Sequence, residues 1–212
     1  IEVRTTDSAD FFVFNDGEDV RGKGFFLCKQ CGRAIDPNEQ NTPHQRPFGG
    51  ECRGRGEWKH LGHEFRGSAA RILFTQEGHE YTDHGFWLSL MYAFLGGMSE
   101  ALGIERNDIN GIIRPVRYGD QLYQEIVLFD DVPGGAGHVK RLESQEEFVA
   151  SLQAAFRRVS NCKCGIDASC YRCLRDFRNQ FFHDILQRKP VVEYLDRLLL
   201  SLSFDEKEDV PY

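Results

Sequence analysis

Seven cysteines are the residues of this chain best suited to chemistry, and they fall into two groups. Cys162, Cys164, Cys170 and Cys173 stand in the pattern Cys-x-Cys-x5-Cys-x2-Cys. Four thiolates in so short a run complete a tetrahedral zinc shell, with Zn–S bonds of about 2.3 Å, and need no other residue. Gly165 stands where the chain must double back. An all-thiolate site keeps no open position for water, so its expected role is structural rather than hydrolytic. A redox dithiol at Cys170-x-x-Cys173 is the competing reading, and the two thiols just upstream count against it.

The other group is Cys28-x2-Cys31-Gly32 with Cys52. It forms a knuckle with three thiolates and needs a fourth ligand, for which His44, His60 and His63 compete. His44 is preferred, because it lies in the loop that Cys31 and Cys52 bracket, beside Pro43 and Pro47. His60 and His63 fall in a predicted strand, where their spacing turns them to opposite faces. Two zinc ions per chain are therefore expected. An odd number of cysteines in close pairs, with no signal-peptide pattern, points to reduced thiols and a cytoplasmic setting, not a disulfide framework.

Other motifs carry less. Gly17-x4-Gly22-Lys23-Gly24 approaches a P-loop but lacks the Ser/Thr for Mg2+ and leads into a knuckle, so no ATP site is expected in this segment. Pro133–Gly137 turns a strand toward a helix and could offer N–H groups to an anion, but Asp130 and Asp131 would repel a phosphate there. His138-x-Lys140 is half of a phospholipase D-type phosphodiesterase motif, with Gln145 where that motif needs Asp. It is the enzyme-class alternative; otherwise no catalytic residue is expected. Arg172, Arg175, Arg178, Arg188 and Lys189, interleaved with Tyr171, Phe177, Phe181 and Phe182, suit a nucleic-acid strand passing over a zinc-pinned loop. A solvated basic helix face is the plain alternative.

The elements that must position these residues are mixed. Phe11–Phe14 and Phe25–Leu27 read as strands, as do Trp58–Phe65 and Ala69–Phe74 on either side of Gly67. Residues 86–103 have helical periodicity, with Gly96-Gly97 inside to permit close packing. Gln124–Asp130 is a strand buried on both faces. Ser144-x-x-Glu147 opens a helix to about Val159, and Pro190 opens another over Val191–Leu200. The expected fold is mixed α+β: a small central sheet, flanking helices and two peripheral zinc-binding loops. Residues 1–75 would form a β-rich part with the knuckle, and residues 76–212 an α/β part with the four-cysteine loop. A net charge of −7 argues against indiscriminate coating of nucleic acid, and no apolar run is long enough to span a bilayer.

Together, Leu27-Cys28-x2-Cys31-Gly32, Leu61–Phe65, the 87–104 helix, Val127–Asp130 running into Pro133–Gly137, and Cys162-x-Cys164 through Cys170-Tyr171-x-Cys173-Leu174 resemble the MrfA-like C-terminal zinc-binding family, the MZB domain. The resemblance implies a non-catalytic module excised from a larger protein, a start at Ile1 being in keeping with that. Such modules belong to superfamily 2 DNA helicases and to DrmB-type proteins of the DISARM anti-phage system. The implied partners are DNA and a helicase core, in cis or as a partner subunit, with ATP used only in that core. A protein-interaction scaffold without DNA contact is the remaining alternative.

Overall fold

The computed structural model describes residues 1–15, 24–39, 42–74, 83–132 and 135–208. The near-P-loop between Gly17 and Lys23, and Pro133-Gly134, lie outside the described residues. The chain divides into two compact units, one of residues 1–9 with 66–212 and one of residues 10–65. Strands β1 (Glu2–Asn15) and β6 (Leu61–Leu73) each contribute residues to both.

In the larger unit, β7 (Ile109–Tyr118) and β8 (Gln121–Asp130) form a hairpin with Tyr118 opposite Gln121. The two-residue turn between them holds Gly119 at φ 60°, a left-handed conformation that suits glycine. The sheet order is β1-β6-β8-β7, with β6 and β7 each antiparallel to β8. The last six residues of β8, Glu125–Asp130, are all buried; the apolar run Ile126–Phe129 within them fits a central strand. The buried Glu125 carboxylate is met by Arg71 at 2.9 Å and Arg114 at 2.5 Å. Ile72, Ile126, Leu128 and Ile109 pack into the core with helix α1 (His84–Leu102).

Helix α1 is buried on nearly all sides, which its composition requires. It packs against β7 and β8, α2 (Gln145–Ser160) and α3 (Arg188–Glu208). Asp83 caps its N-terminus by accepting from the Gly85 N–H, and Gly103 ends it at φ 63°. An aromatic cluster ties α1 to α3: the Phe86 and Tyr194 rings lie 5.4 Å apart, and Phe74 lies 5.9 Å from both Trp87 and Tyr194. The Gly96-Gly97 pair does allow close packing. A Cβ on Gly97 would come within 2.5 Å of the Ser151 carbonyl oxygen and 2.7 Å of Ala155 Cα on α2.

Ser144 caps α2 by accepting from the Glu147 N–H at 3.4 Å, while the Glu147 carboxylate turns to Arg141 at 2.9 Å instead of closing a reciprocal box. Before it runs a 3-10 turn, Val139–Glu143, where a full helix is expected from the glycine-rich reversal. In the smaller unit, β2 (Phe25–Cys28) pairs antiparallel with β5 (Gly56–Lys59), and β3 (His44–Gln45) with β4 (Glu51–Cys52). The predicted break at Gly67 is absent: β6 runs through it, and the interruption falls at His60, between β5 and β6. The architecture is mixed α+β, with small sheets, flanking helices and a Cys/His cluster in each unit. Among the described residues, no helix is long and apolar enough to cross a membrane.

Candidate metal centres

The four-cysteine loop begins one residue after the α2 C-cap, Asn161. Gly165 at φ 88° turns it back, and the Ala168 N–H closes that turn on the Gly165 carbonyl at 3.3 Å. The Cys170 carbonyl then accepts from the N–H groups of Cys173, Leu174 and Arg175, at 3.0, 3.1 and 3.0 Å. These bonds bring the sulfurs together: Cys162–Cys164 and Cys162–Cys170 at 3.5 Å, Cys164–Cys173 at 3.8 Å and Cys170–Cys173 at 3.9 Å. Tetrahedral Zn–S bonds of about 2.3 Å put sulfurs about 3.8 Å apart. Disulfides need about 2.05 Å, and all seven cysteines are free.

The first cluster is built from two turns. Cys28 ends β2, and a knuckle follows in which the Gly32 N–H bonds the Cys28 carbonyl at 2.9 Å, with Gly32 at φ 73°. The β3–β4 hairpin then sets His44 directly opposite Cys52. Its turn runs through Pro47 and closes with the Arg46 N–H on the Gly50 carbonyl at 2.8 Å. Cys31 Sγ lies 3.3 Å from His44 Nε2 and Cys28 Sγ 3.7 Å from Cys52 Sγ. A tetrahedral zinc with one nitrogen ligand would need about 3.5 Å and about 3.8 Å. The N–H groups of Gln30 and Gly54 donate to the Cys28 and Cys52 sulfurs, each at 3.4 Å. Gly54 leaves the sulfur its room, since a Cβ there would sit 2.6 Å from Cys28 Sγ. His63 stacks on Phe65 at 5.4 Å, away from the set.

Both clusters have ligand atoms within 4.8 Å of one another. Their thiols are divided electrostatically. Burial opposes ionisation of Cys28, but the N–H groups of Cys31 and Gln30 prevail and draw it down to about 6. Cys170 is drawn down to about 7 against burial by the Arg172 N–H and its neighbouring thiols, whereas burial and those thiols push Cys164 up to about 12. Four thiolates cannot share one site without a cation, and this donor chemistry fits Zn2+. The chain thus has two clusters consistent with two closed zinc sites.

Several expected nucleic-acid residues have other neighbours. Arg188 is buried, with 3% exposure, and its guanidinium donates to the carbonyls of Val159, Cys162 and Gly165 at 2.6, 3.0 and 3.0 Å. This corrects its expected place on a nucleic-acid surface: it ties the α2 C-terminus and the zinc loop to the start of α3. Arg175 bonds Ser169 Oγ at 2.9 Å, Arg178 pairs with Asp131 at 2.7 Å, and Arg172 and Lys189 are exposed. Tyr171, Phe177 and Phe181 are exposed as well, Phe181 at 98%. Asn179 is fully buried and joins the Leu174 carbonyl, the Asp176 N–H and the His183 ring. It closes a reciprocal capping box with Asp176 at the start of the 3-10 turn Phe177–Phe182.

Of the glycine-rich turn, Gly135–Gly137 are among the described residues. The buried Asp130 carboxylate accepts from the N–H groups of Ala136, Gly137 and Val139, so the anion at this turn is the chain's own. His138 lies 3.9 Å from Asp108, and Lys140 pairs with Asp7 at 2.6 Å. The two residues of that half-motif are thus turned to different acids.

Residues 90–174 match the MrfA Zn-binding domain family, MZB. The MZB match begins inside α1 and ends one residue past Cys173, so it contains the whole four-cysteine loop and leaves the first cluster outside. Two solved structures are similar to the chain. The crystal structure of the DUF1998 helicase MrfA bound to DNA has TM-score 0.49 and 14% identity, over 93% of this chain and 26% of that one. That of MrfA bound to DNA and AMPPNP has TM-score 0.41 and 13% identity, over 92% and 23%. The chain therefore spans about a quarter of the length of these helicase chains. No curated protein sequence matches it.

Proposed function

We propose that the chain is a non-catalytic zinc-binding module of a helicase-like DNA-processing or anti-phage defence protein, working in the cytoplasm. In this reading Cys162, Cys164, Cys170 and Cys173 hold one zinc, and Cys28, Cys31, His44 and Cys52 the other. Their role is to fold and stiffen loops, because neither set keeps a position for water. The module docks on a helicase core, in cis or in trans, and ATP is used in that core. Residues 1–75 and 76–212 act as its β-rich and α/β parts.

The observation that carries the DNA contact is the outer surface of the second zinc loop. Arg172 and Tyr171 are exposed on the loop, Arg178, Phe177 and Phe181 on the 3-10 turn Phe177–Phe182 that follows it, and Lys189 at the start of α3, and the loop is pinned from within by Arg188. Cations track a phosphate backbone, and exposed rings stack on unpaired bases. Arg175, on the same loop, contributes from a half-buried position.

A short fluorescent single strand, followed by anisotropy at low salt, tests the reading. Arg172→Glu with Arg178→Glu is expected to weaken binding by about tenfold or more, through loss of two phosphate contacts. Unchanged binding would refute the DNA contact and favour a protein-docking scaffold. That second reading draws on the exposed Phe12, Val13, Phe14 and Leu61 of the smaller unit.

A further inference from the structure

Beside the second zinc loop lies a polar cavity of about 190 Å3, with Tyr92, Arg106, Arg158, Tyr171, Arg175 and Asp176 in its wall. Two of the guanidinium groups are held in one way. Arg158 donates through Nε to the Cys173 carbonyl at 3.0 Å, and Arg175 through Nε to Ser169 Oγ at 2.9 Å. Among the described residues, the Nη atoms of both have no partner, and neither group bonds a cysteine sulfur. The arginines are therefore not engaged by the thiolates of the zinc site. Their paired Nη donors suit bidentate recognition of an oxyanion.

The rest of the wall supports an anion. Its one carboxylate, Asp176, is engaged: Oδ2 lies 3.6 Å from Arg106, and Oδ1 accepts from the Arg178 N–H at 2.5 Å. Burial, with the charges of Arg178 and Arg158, holds Arg106 below the usual guanidinium range, against Asp176 and Tyr92. Burial holds Tyr92 above the usual phenol range, so its hydroxyl stays a donor. Gly96 is part of the design, since a Cβ there would lie 2.8 Å from Arg158 Nε and 3.0 Å from its Cδ.

We propose that this cavity is a phosphate-binding pocket, in which Arg158 and Arg175 seat one phosphate of a nucleic-acid strand, while Arg106, held by the Ile109 carbonyl at 2.8 Å and by Asp176, adds positive charge to the wall. The proposal rests on the DNA contact above and adds to it a defined point of grip, at which the strand's register is fixed by the fold and not by mobile surface charge.

The test is a titration of the zinc-loaded chain with inorganic phosphate, against acetate at the same ionic strength, following the arginine Nε–H signals by NMR. The Arg158 and Arg175 signals are expected to shift together and saturate with phosphate, while Arg172 stays in place. Signals that do not move, or that move equally with acetate, overturn the pocket. Gly96→Ala changes no charge, yet by displacing the Arg158 guanidinium it should weaken the phosphate response and lower single-strand affinity by up to about tenfold. Arg175→Gln should reduce the salt dependence of log K by about 0.7, the share of one phosphate on a single strand. If Arg172→Glu with Arg178→Glu weakens strand binding while Gly96→Ala and Arg175→Gln do not, the surface contact stands and the pocket falls. If the pocket takes phosphate but the unaltered chain binds no strand, the pocket stands and the DNA reading falls.

Discussion

Replacing Arg188 by Met separates a role in folding from a role in binding nucleic acid. The side chain is 3% exposed and supplies three carbonyls with donors: Val159 in the last turn of α2, Cys162 and Gly165. A cation at a helix C-terminus also complements the helix dipole. Methionine fills similar volume but leaves all three carbonyls without that donor. Charged hydrogen bonds are worth roughly 1.5–3 kcal/mol each. Their plain sum overshoots, because the substitution also removes the cost of keeping a guanidinium out of water. A net loss of about 3 kcal/mol is expected, and about 6–12 °C in Tm for a domain of this size. Because two of the carbonyls belong to the zinc loop, the metal should also leave faster. Thermal unfolding by circular dichroism, together with release of zinc to a colorimetric chelator, measures both. An unchanged Tm and release rate, with weakened DNA binding, would refute this reasoning and return Arg188 to the surface role its sequence neighbours suggest.

Three further substitutions test separate contacts. Gly97→Ala should destabilise the chain by on the order of 1–2 kcal/mol in chemical denaturation, because overpacking against the α2 backbone exceeds the gain in helix propensity of about 1 kcal/mol. Gly54→Ala should weaken zinc retention at the first cluster alone, since its Cβ would lie 2.6 Å from Cys28 Sγ, and competition with a chelator would show one ion released early. Asp130→Asn should cost roughly 2–3 kcal/mol and speed hydrogen exchange at Ala136, Gly137 and Val139, whose N–H groups the carboxylate now holds.

Local chemistry was readable in the sequence, and long-range partnership was not. The four-cysteine set lies within one short loop, so its spacing alone implies the site. His44 was readable because it lies between Cys31 and Cys52 beside Pro43 and Pro47, but the hairpin that sets it across from Cys52 was not, since residues 28–56 read as a knuckle and loop. Helix α1 and strand β8 carry strong periodicity or an unbroken apolar run. In the four-stranded sheet the strands missed were those at its edges, and the short β3 and β4 fell in a stretch read as knuckle and loop. Strand β7 contains Pro115 and alternates irregularly, which an edge strand tolerates, and the first half of β1, also an edge, is mostly polar. The arginines show the same limit. Arg188 and Arg158 resemble Arg172 in sequence, but one is buried against zinc-loop carbonyls and the other lies across α1 where Gly96 makes room. Only the packing of α1, α2 and α3 distinguishes them.

Metal analysis of the purified chain tests the central claim most directly. Elemental mass spectrometry of protein prepared without added metal should return two zinc ions per chain, and one after Cys170→Ser. A content of one or none in the unaltered chain would contradict the two closed sites.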